Sequence, residues 1–139
     1  MVISVRSISY EDLKSKLTKD DNILIWSCDN CIKACGQGGA AKAAHLAGIL
    51  REDGYSVTGT ELVSVSCHPP LIEERKHNEE KKPLLDNSDT VIVLACEDGY
   101  DCIKSAFGDK KVIGTARTVG AGGKSAAGAV LNKPFDFVG

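Results

Sequence analysis

Two apolar runs place the strongest constraint on how this chain can fold. Residues 23–26 and 90–95 lack the alternation of a strand with one solvated face, so we predict strands buried on both faces. A helical pattern over residues 40–53 ends at Gly54, a residue typical of the position after a helix. Strands joined by helices form parallel sheets. We therefore predict that residues 1–139 are one α/β, Rossmann-like domain with a mainly parallel sheet and helices on both faces.

Shorter elements are predicted for the rest of the chain. They are an edge strand over residues 2–5, a strand within residues 55–66 that includes 62–66, a strand over 111–115, and a short helix over 102–107. From Arg117 onwards the chain is rich in glycine and alanine without a clear period, which predicts a loop. This tail contains Gly122-Gly123-Lys124-Ser125, which resembles the end of a phosphate-binding loop. The first glycine of that motif is missing because Thr118 stands in its place, so a flexible loop is the prediction there too.

Charge and hydropathy exclude two classes of partner. The net charge is −2, whereas a surface that tracks nucleic-acid phosphates needs an excess of lysine and arginine. The sequence contains no apolar run near the roughly 20 residues that cross a bilayer. The first residues lack the pattern of a secretory signal. We predict a cytoplasmic protein that has no membrane span and does not bind nucleic acid.

Five of the six cysteines follow predicted strands. Cys28, Cys67 and Cys96 each come directly after one, and Cys31 and Cys35 lie in the loop after the first. The carboxyl ends of parallel strands meet at one edge of a sheet, where ligands bind in folds of this kind. We therefore expect the five thiols to converge in space.

The thiol spacing favours an iron–sulfur cluster. Cys28-x-x-Cys31-x-x-x-Cys35 supplies three thiolates from one loop, and a remote cysteine completes the set. Both Cys67 and Cys96 are placed to be that ligand, and the residues do not decide between them. The predicted cofactor is a [4Fe-4S] cluster, with a [2Fe-2S] cluster as an alternative.

Glycines follow the third of these thiols. Gly36, Gly38 and Gly39 would let the backbone pass close to sulfur, and the amides at the start of the next helix favour an anionic group. The spacing Gly36-x-Gly38-x-x-Ala41 also matches the Gly-x-Gly-x-x-Gly/Ala fingerprint of dinucleotide-binding folds. That interpretation is disfavoured, since three cysteines interrupt the tight turn and no acidic residue ends the following strand at Cys67.

Zinc and thiol chemistry are the competing interpretations. Four thiolates also suit tetrahedral zinc, although zinc ribbons usually carry two Cys-x-x-Cys pairs in a fold with little core. Redox-active thiols would make the chain an enzyme in its own right. Cys102, inside a predicted helix, is interpreted as a spare thiol. His68 is interpreted as a helix-entry residue and His45, spaced among alanines, as structural.

The motif residues resemble those of a known family. The spacing Cys28-x-x-Cys31-x-x-x-Cys35-x-x-Gly38-Gly39, a single Cys67, and the run ending at Cys96 look like the methylenetetrahydrofolate reductase C-terminal domain family, over roughly residues 20–116. The family includes a small iron–sulfur subunit that accompanies a flavin-bearing reductase subunit in anaerobes. The family's subunits are longer and carry further cysteines than this chain.

The resemblance implies a role in one-carbon metabolism. It carries the cluster positions over to Cys28, Cys31, Cys35, Cys67 and Cys96, and implies electron transfer to the flavin of a partner reductase subunit or to another redox protein. The chain would not be catalytic alone. The alternative is a zinc-binding accessory module that docks on a reductase or methyltransferase without carrying electrons.

Overall fold

The computed structural model describes residues 2–6, 8–29, 31–36, 38–63, 68–80, 82–125 and 128–134. Helices and strands alternate through most of that length. In chain order they are β1 (Val2–Arg6), α1 (Tyr10–Ser15), β2 (Asn22–Cys28), α2 (Cys31–Ala34), α3 (Ala40–Glu52), β3 (Ser56–Val63), α4 (Pro69–Lys76), α5 (Lys82–Asp86), β4 (Thr90–Leu94), α6 (Glu97–Ala106), β5 (Lys111–Gly114), β6 (Ala116–Ser125) and β7 (Gly128–Pro134).

The larger sheet has four parallel strands in the order β3-β2-β4-β5. Its two central strands are the apolar runs of the sequence, and every residue of β4 and all but the first of β2 are buried. Strands in the middle of a helix-covered sheet have no solvated face, which is why their side chains do not alternate. The predicted α/β, Rossmann-like arrangement is confirmed.

Helices cover both faces of this sheet, as predicted. On one face α1 and α3 pack against Ile23, Ile25 and Ile92. On the other face, α4, α5 and α6 pack against the β2 side chains Leu24 and Trp26 and against Val91 and Val93 of β4. The alternate residues of each central strand therefore feed two separate cores.

The tail from Arg117 is not a loop, and that prediction is wrong. It forms β6 and β7, which join β1 in a three-stranded antiparallel sheet of order β1-β6-β7. The edge strand predicted near the start of the chain is confirmed, but it belongs to this second sheet. Close backbone pairing accounts for the glycine at position 122, because a Cβ at this position would overlap the carbonyl oxygen of Val130. The loop predicted around Gly122-Gly123-Lys124-Ser125 is thus part of β6.

One further boundary differs from the sequence prediction. The helix predicted over 102–107 begins earlier, at Glu97, where Cys96 caps it in an extended conformation and Glu97 and Asp98 suit the positive end of the helix dipole. Strand β3, Ser56–Val63, lies within the strand predicted in residues 55–66, and residues 64–66 lie outside the described residues. Within the described residues, no helix is long and apolar enough to cross a membrane.

Candidate thiol site at the carboxyl edge of the sheet

Cys28 and Cys96 lie at the same edge of the parallel sheet. Cys28 is the last residue of β2, and the register pairs the preceding Ser27 with Leu94 of the neighbouring strand β4. Cys96 follows Leu94 by two residues and is the N-cap of α6. Both cysteines are buried. In the sheet, β2 lies between β3 and β4, so the connections to these two neighbours run to opposite sides of β2. The strand order therefore reverses at β2, and open α/β sheets commonly bind ligands at the carboxyl edge beside such a switch point.

Cys31 and Cys35 lie one helical turn apart beside this edge. The backbone amide of Cys35 donates to the carbonyl oxygen of Cys31 at 3.0 Å, which closes the turn that begins α2. Residues four apart in a helical turn lie on one face, so the two side chains start from the same side of the turn. Both are partly exposed, and no disulfide joins Cys28, Cys31, Cys35 or Cys96 to another residue that the structure describes. The fifth candidate, Cys67, lies outside the described residues.

A buried serine closes the loop that carries these thiols. The amide of Gly39 donates to Oγ of Ser27 at 2.7 Å, so the loop that leaves β2 after Cys28 is tied back to β2 at the start of α3. The same hydroxyl lies 3.1 Å from the carbonyl oxygen of Cys28 and 3.4 Å from that of Leu94. Ser27 was missed as a candidate. Its signal in the sequence is a polar residue at the end of an otherwise apolar strand.

The glycines of the loop serve its backbone geometry. Gly39 has φ 98° and ψ 172°, a combination essentially restricted to glycine. Gly38 lies against Ile32, and a Cβ at this position would lie only 2.6 Å from the Cγ2 of that fully buried side chain. Gly36 also has a positive φ, of 76°. These roles are structural, and the predicted contact of the three glycines with a cofactor stays a prediction.

Alanine at position 39 is expected to destabilise the loop by about 1–3 kcal/mol, the usual cost of holding a side chain in that backbone region. The change in unfolding free energy can be measured by urea denaturation. Gly48→Ala is the matched control, because Gly48 lies inside α3 with nothing within 4 Å of a new Cβ. That control should gain stability by roughly 0.5–1 kcal/mol. Equal stability of Gly39→Ala and wild type would contradict the role assigned to Gly39.

The second sheet contacts the thiol-bearing segments. The amide of Glu97, which directly follows Cys96, donates to Oγ1 of Thr118 in β6 at 3.2 Å. Strand β1 of the same sheet contacts α2. The small antiparallel sheet thus joins the segment after β2 to the segment after β4. Neither Thr118 nor this sheet was predicted to take part in the site.

Charges around the site differ from one thiol to the next. Asp29 lies between Cys28 and Cys31, and its carboxylate forms an ion pair with Lys33 at 3.0 Å rather than a well-aligned hydrogen bond. Cys102 lies away from the edge on α6, where burial and the nearby Asp98 and Asp101 raise the pKa of its thiol. A raised pKa disfavours the thiolate that metals require, which agrees with the interpretation of Cys102 as a spare thiol.

The described thiols do not form a ready-made metal site. Among the residues that the structure describes, no three histidine, cysteine, aspartate or glutamate side chains are grouped closely enough to hold a metal ion. The donor chemistry fits a cluster, since cysteines lie at the carboxyl ends of both central strands, at one edge of the sheet. Their present arrangement in the described part of the chain does not gather them around one point.

The site has to be interpreted from its own residues. Its defining features are cysteines at a sheet edge, a loop closed on Ser27, and a helix that begins directly after that loop. No protein-family model, curated protein or solved structure matches this chain.

Proposed function

We propose that the chain is an electron-transfer protein that holds an iron–sulfur cluster, most simply [4Fe-4S], at the carboxyl edge of its parallel sheet. Its ligands would be Cys28, Cys31, Cys35 and one of Cys67 or Cys96. The observation that carries the proposal is the register of β2 and β4, which brings Cys28 and Cys96 to one edge beside the turn of Cys31 and Cys35.

The surroundings of these thiols suit a buried anionic group near the surface. Cys28 and Cys96 are only 6 % and 7 % exposed, so bulk water is kept from the strand-end side of the site. Cys31 and Cys35 are partly exposed, which leaves the opposite side close to a docking partner. Thiolate-bound iron would supply one-electron chemistry whose potential depends on hydrogen bonds to sulfur and on solvent access.

Binding of a cluster requires part of the site to rearrange. Cys28 is fixed within the hydrogen-bonded sheet, whereas α2 spans a single turn, Cys31–Ala34. A single turn is held by few hydrogen bonds and can move at low cost, so we propose that α2 brings Cys31 and Cys35 toward the strand ends. Cys67 or Cys96 would supply the fourth thiolate.

A flavoprotein reductase subunit of one-carbon metabolism is the proposed partner, and its flavin would accept or donate the electron. This part of the proposal rests on the family resemblance of the cysteine and glycine spacing. By the same resemblance, catalysis would reside in the partner. Another redox protein could use the same exposed side of the site.

Metal and sulfide analysis of protein purified without oxygen tests the proposal. We expect a brown protein with about four iron and four acid-labile sulfide per chain, and a paramagnetic signal after reduction with dithionite. One zinc without sulfide would replace the proposal with the accessory module. A colourless, metal-free protein whose Cys31 is alkylated much faster than a free thiol would point to direct thiol chemistry instead.

A further inference from the structure

A cavity of about 180 Å³ opens on the other face of the sheet, between α1, α3 and the ends of β4 and β5. It is separate from the thiol site, since Leu94 faces the core formed with α1 and α3 whereas Cys28 belongs to the opposite core. Its lining residues are Tyr10, Lys42, His45, Leu46, Ile49, Leu94 and Thr115.

The interior of the cavity is apolar and has the size of a small ring. Leu46 and Leu94 are 7 % and 5 % exposed and form its inner wall together with Ile49. The hydroxyl of Thr115 donates its proton to the carbonyl oxygen of Val93 at 2.8 Å, so it has none left to offer a ligand. An apolar cavity of about 150 Å³ holds benzene, so this one has room for a body of that size.

Two nitrogen-bearing side chains stand unpaired beside the cavity. Lys42 and His45 lie three residues apart on α3, and both are exposed. Neither side chain forms a hydrogen bond or ion pair with another residue that the structure describes. Donors without partners at the mouth of an apolar cavity are the arrangement that fixes a ligand with one polar end.

No acidic side chain among the described residues lines the cavity, so none of the lining residues neutralises the charge of Lys42. The carboxylate of Asp53 accepts a hydrogen bond from the hydroxyl of Tyr10 at 2.5 Å. Burial and that hydrogen bond raise the pKa of Tyr10, so its hydroxyl stays protonated and committed to Asp53. Tyr10 therefore contributes its ring as a wall rather than a titrating group.

We propose that this cavity binds a small organic anion with an apolar body of about one ring, whose carboxylate meets Lys42 and His45 at the mouth. The apolar wall would select the body and the lysine would select the charge. Binding at this face does not depend on any metal at the thiol site. It gives the chain a second, ligand-binding role on the same sheet.

Isothermal titration calorimetry with benzoate, on the full chain purified without oxygen, tests the proposal. We expect saturable one-to-one binding with a dissociation constant on the order of 1 mM. Benzyl alcohol, which keeps the ring without the charge, and acetate, which keeps the charge without the ring, should each bind at least threefold more weakly. Inorganic phosphate should behave like acetate.

Variants locate the site. Lys42→Met should weaken benzoate binding about three- to tenfold, as expected for loss of an exposed charge partner. Lys104→Met is the matched control, because Lys104 lies on α6 on the opposite face of the sheet, over the ring of Tyr100. Ile49→Phe, which fills the cavity, should abolish binding while the circular dichroism spectrum stays that of wild type.

Three results would overturn the proposal. They are an absence of saturable heat up to 20-fold the expected dissociation constant, equal affinity for benzyl alcohol and benzoate, or an unchanged affinity in Lys42→Met. The Lys42 substitution is on an exposed helix position, so misfolding would not obscure the result.

Discussion

Serine in place of Cys28, Cys31 or Cys35 is expected to abolish the iron and sulfide content of protein purified without oxygen. Each change removes one of the thiolates that the proposed cluster needs, and a hydroxyl does not replace a thiolate as a soft ligand. Cys102→Ser is the matched control and should leave both contents unchanged, since burial and acidic neighbours disfavour the thiolate of Cys102. Iron, sulfide and visible absorption are the measurements.

The same series identifies the fourth ligand. Of Cys67→Ser and Cys96→Ser, one should lose the cluster and the other should retain it. Thermal unfolding of each variant keeps loss of a ligand distinct from loss of the fold. A full cluster in Cys28→Ser, or its loss in a folded Cys102→Ser protein, would exclude the proposed ligand set.

Alanine in place of Trp26 should cost about 3–5 kcal/mol of unfolding free energy, the usual range for removing a large aromatic side chain from a core. Trp26 is fully buried in β2, two residues before Cys28, and its ring meets that of Phe107 edge to face with centroids 5.6 Å apart. The substitution therefore removes the contact that seats α6 against the strand beneath the thiol site. We expect the midpoint of urea unfolding to fall sharply.

The unfolding of Trp26→Ala has to be followed by circular dichroism rather than by tryptophan fluorescence, because Trp26 is the only tryptophan of the chain. Val130→Ala provides a control of the opposite kind. Val130 is 43 % exposed on β7, so its loss should change stability by less than about 0.5 kcal/mol. A cost below about 1 kcal/mol for Trp26→Ala would contradict its place at the centre of the core.

The parallel sheet and the position of the thiols at its carboxyl edge could be predicted from the sequence for one physical reason. Strands β2 and β4 are covered on both faces, so their apolar side chains are continuous and mark them as central. Once two central strands are parallel, residues that follow them must lie at one edge. This is how Cys28 and Cys96 could be expected near each other without any knowledge of the loops between them.

The second sheet could not be predicted in the same way. Strand β6 carries Gly120, Gly122 and Gly123, which give no alternating pattern, and its stability comes from backbone pairing with β1. Such pairing between distant segments leaves no local signal. Ser27 and Thr118 were missed for a similar reason. Each hydroxyl accepts a hydrogen bond from the backbone amide of a residue that is distant in sequence, and only the fold brings the two groups together.

The pairing of β1 with β6 also has a consequence for biosynthesis. Val2 pairs with Ala121, so β1 has no partner from β6 until all four strands of the parallel sheet have been translated. Closure of so long a loop is slow, whereas β2, α3 and β3 can assemble as they emerge. Nascent chains would thus carry an unpaired strand edge during most of translation, a state in which chaperones commonly protect proteins from association.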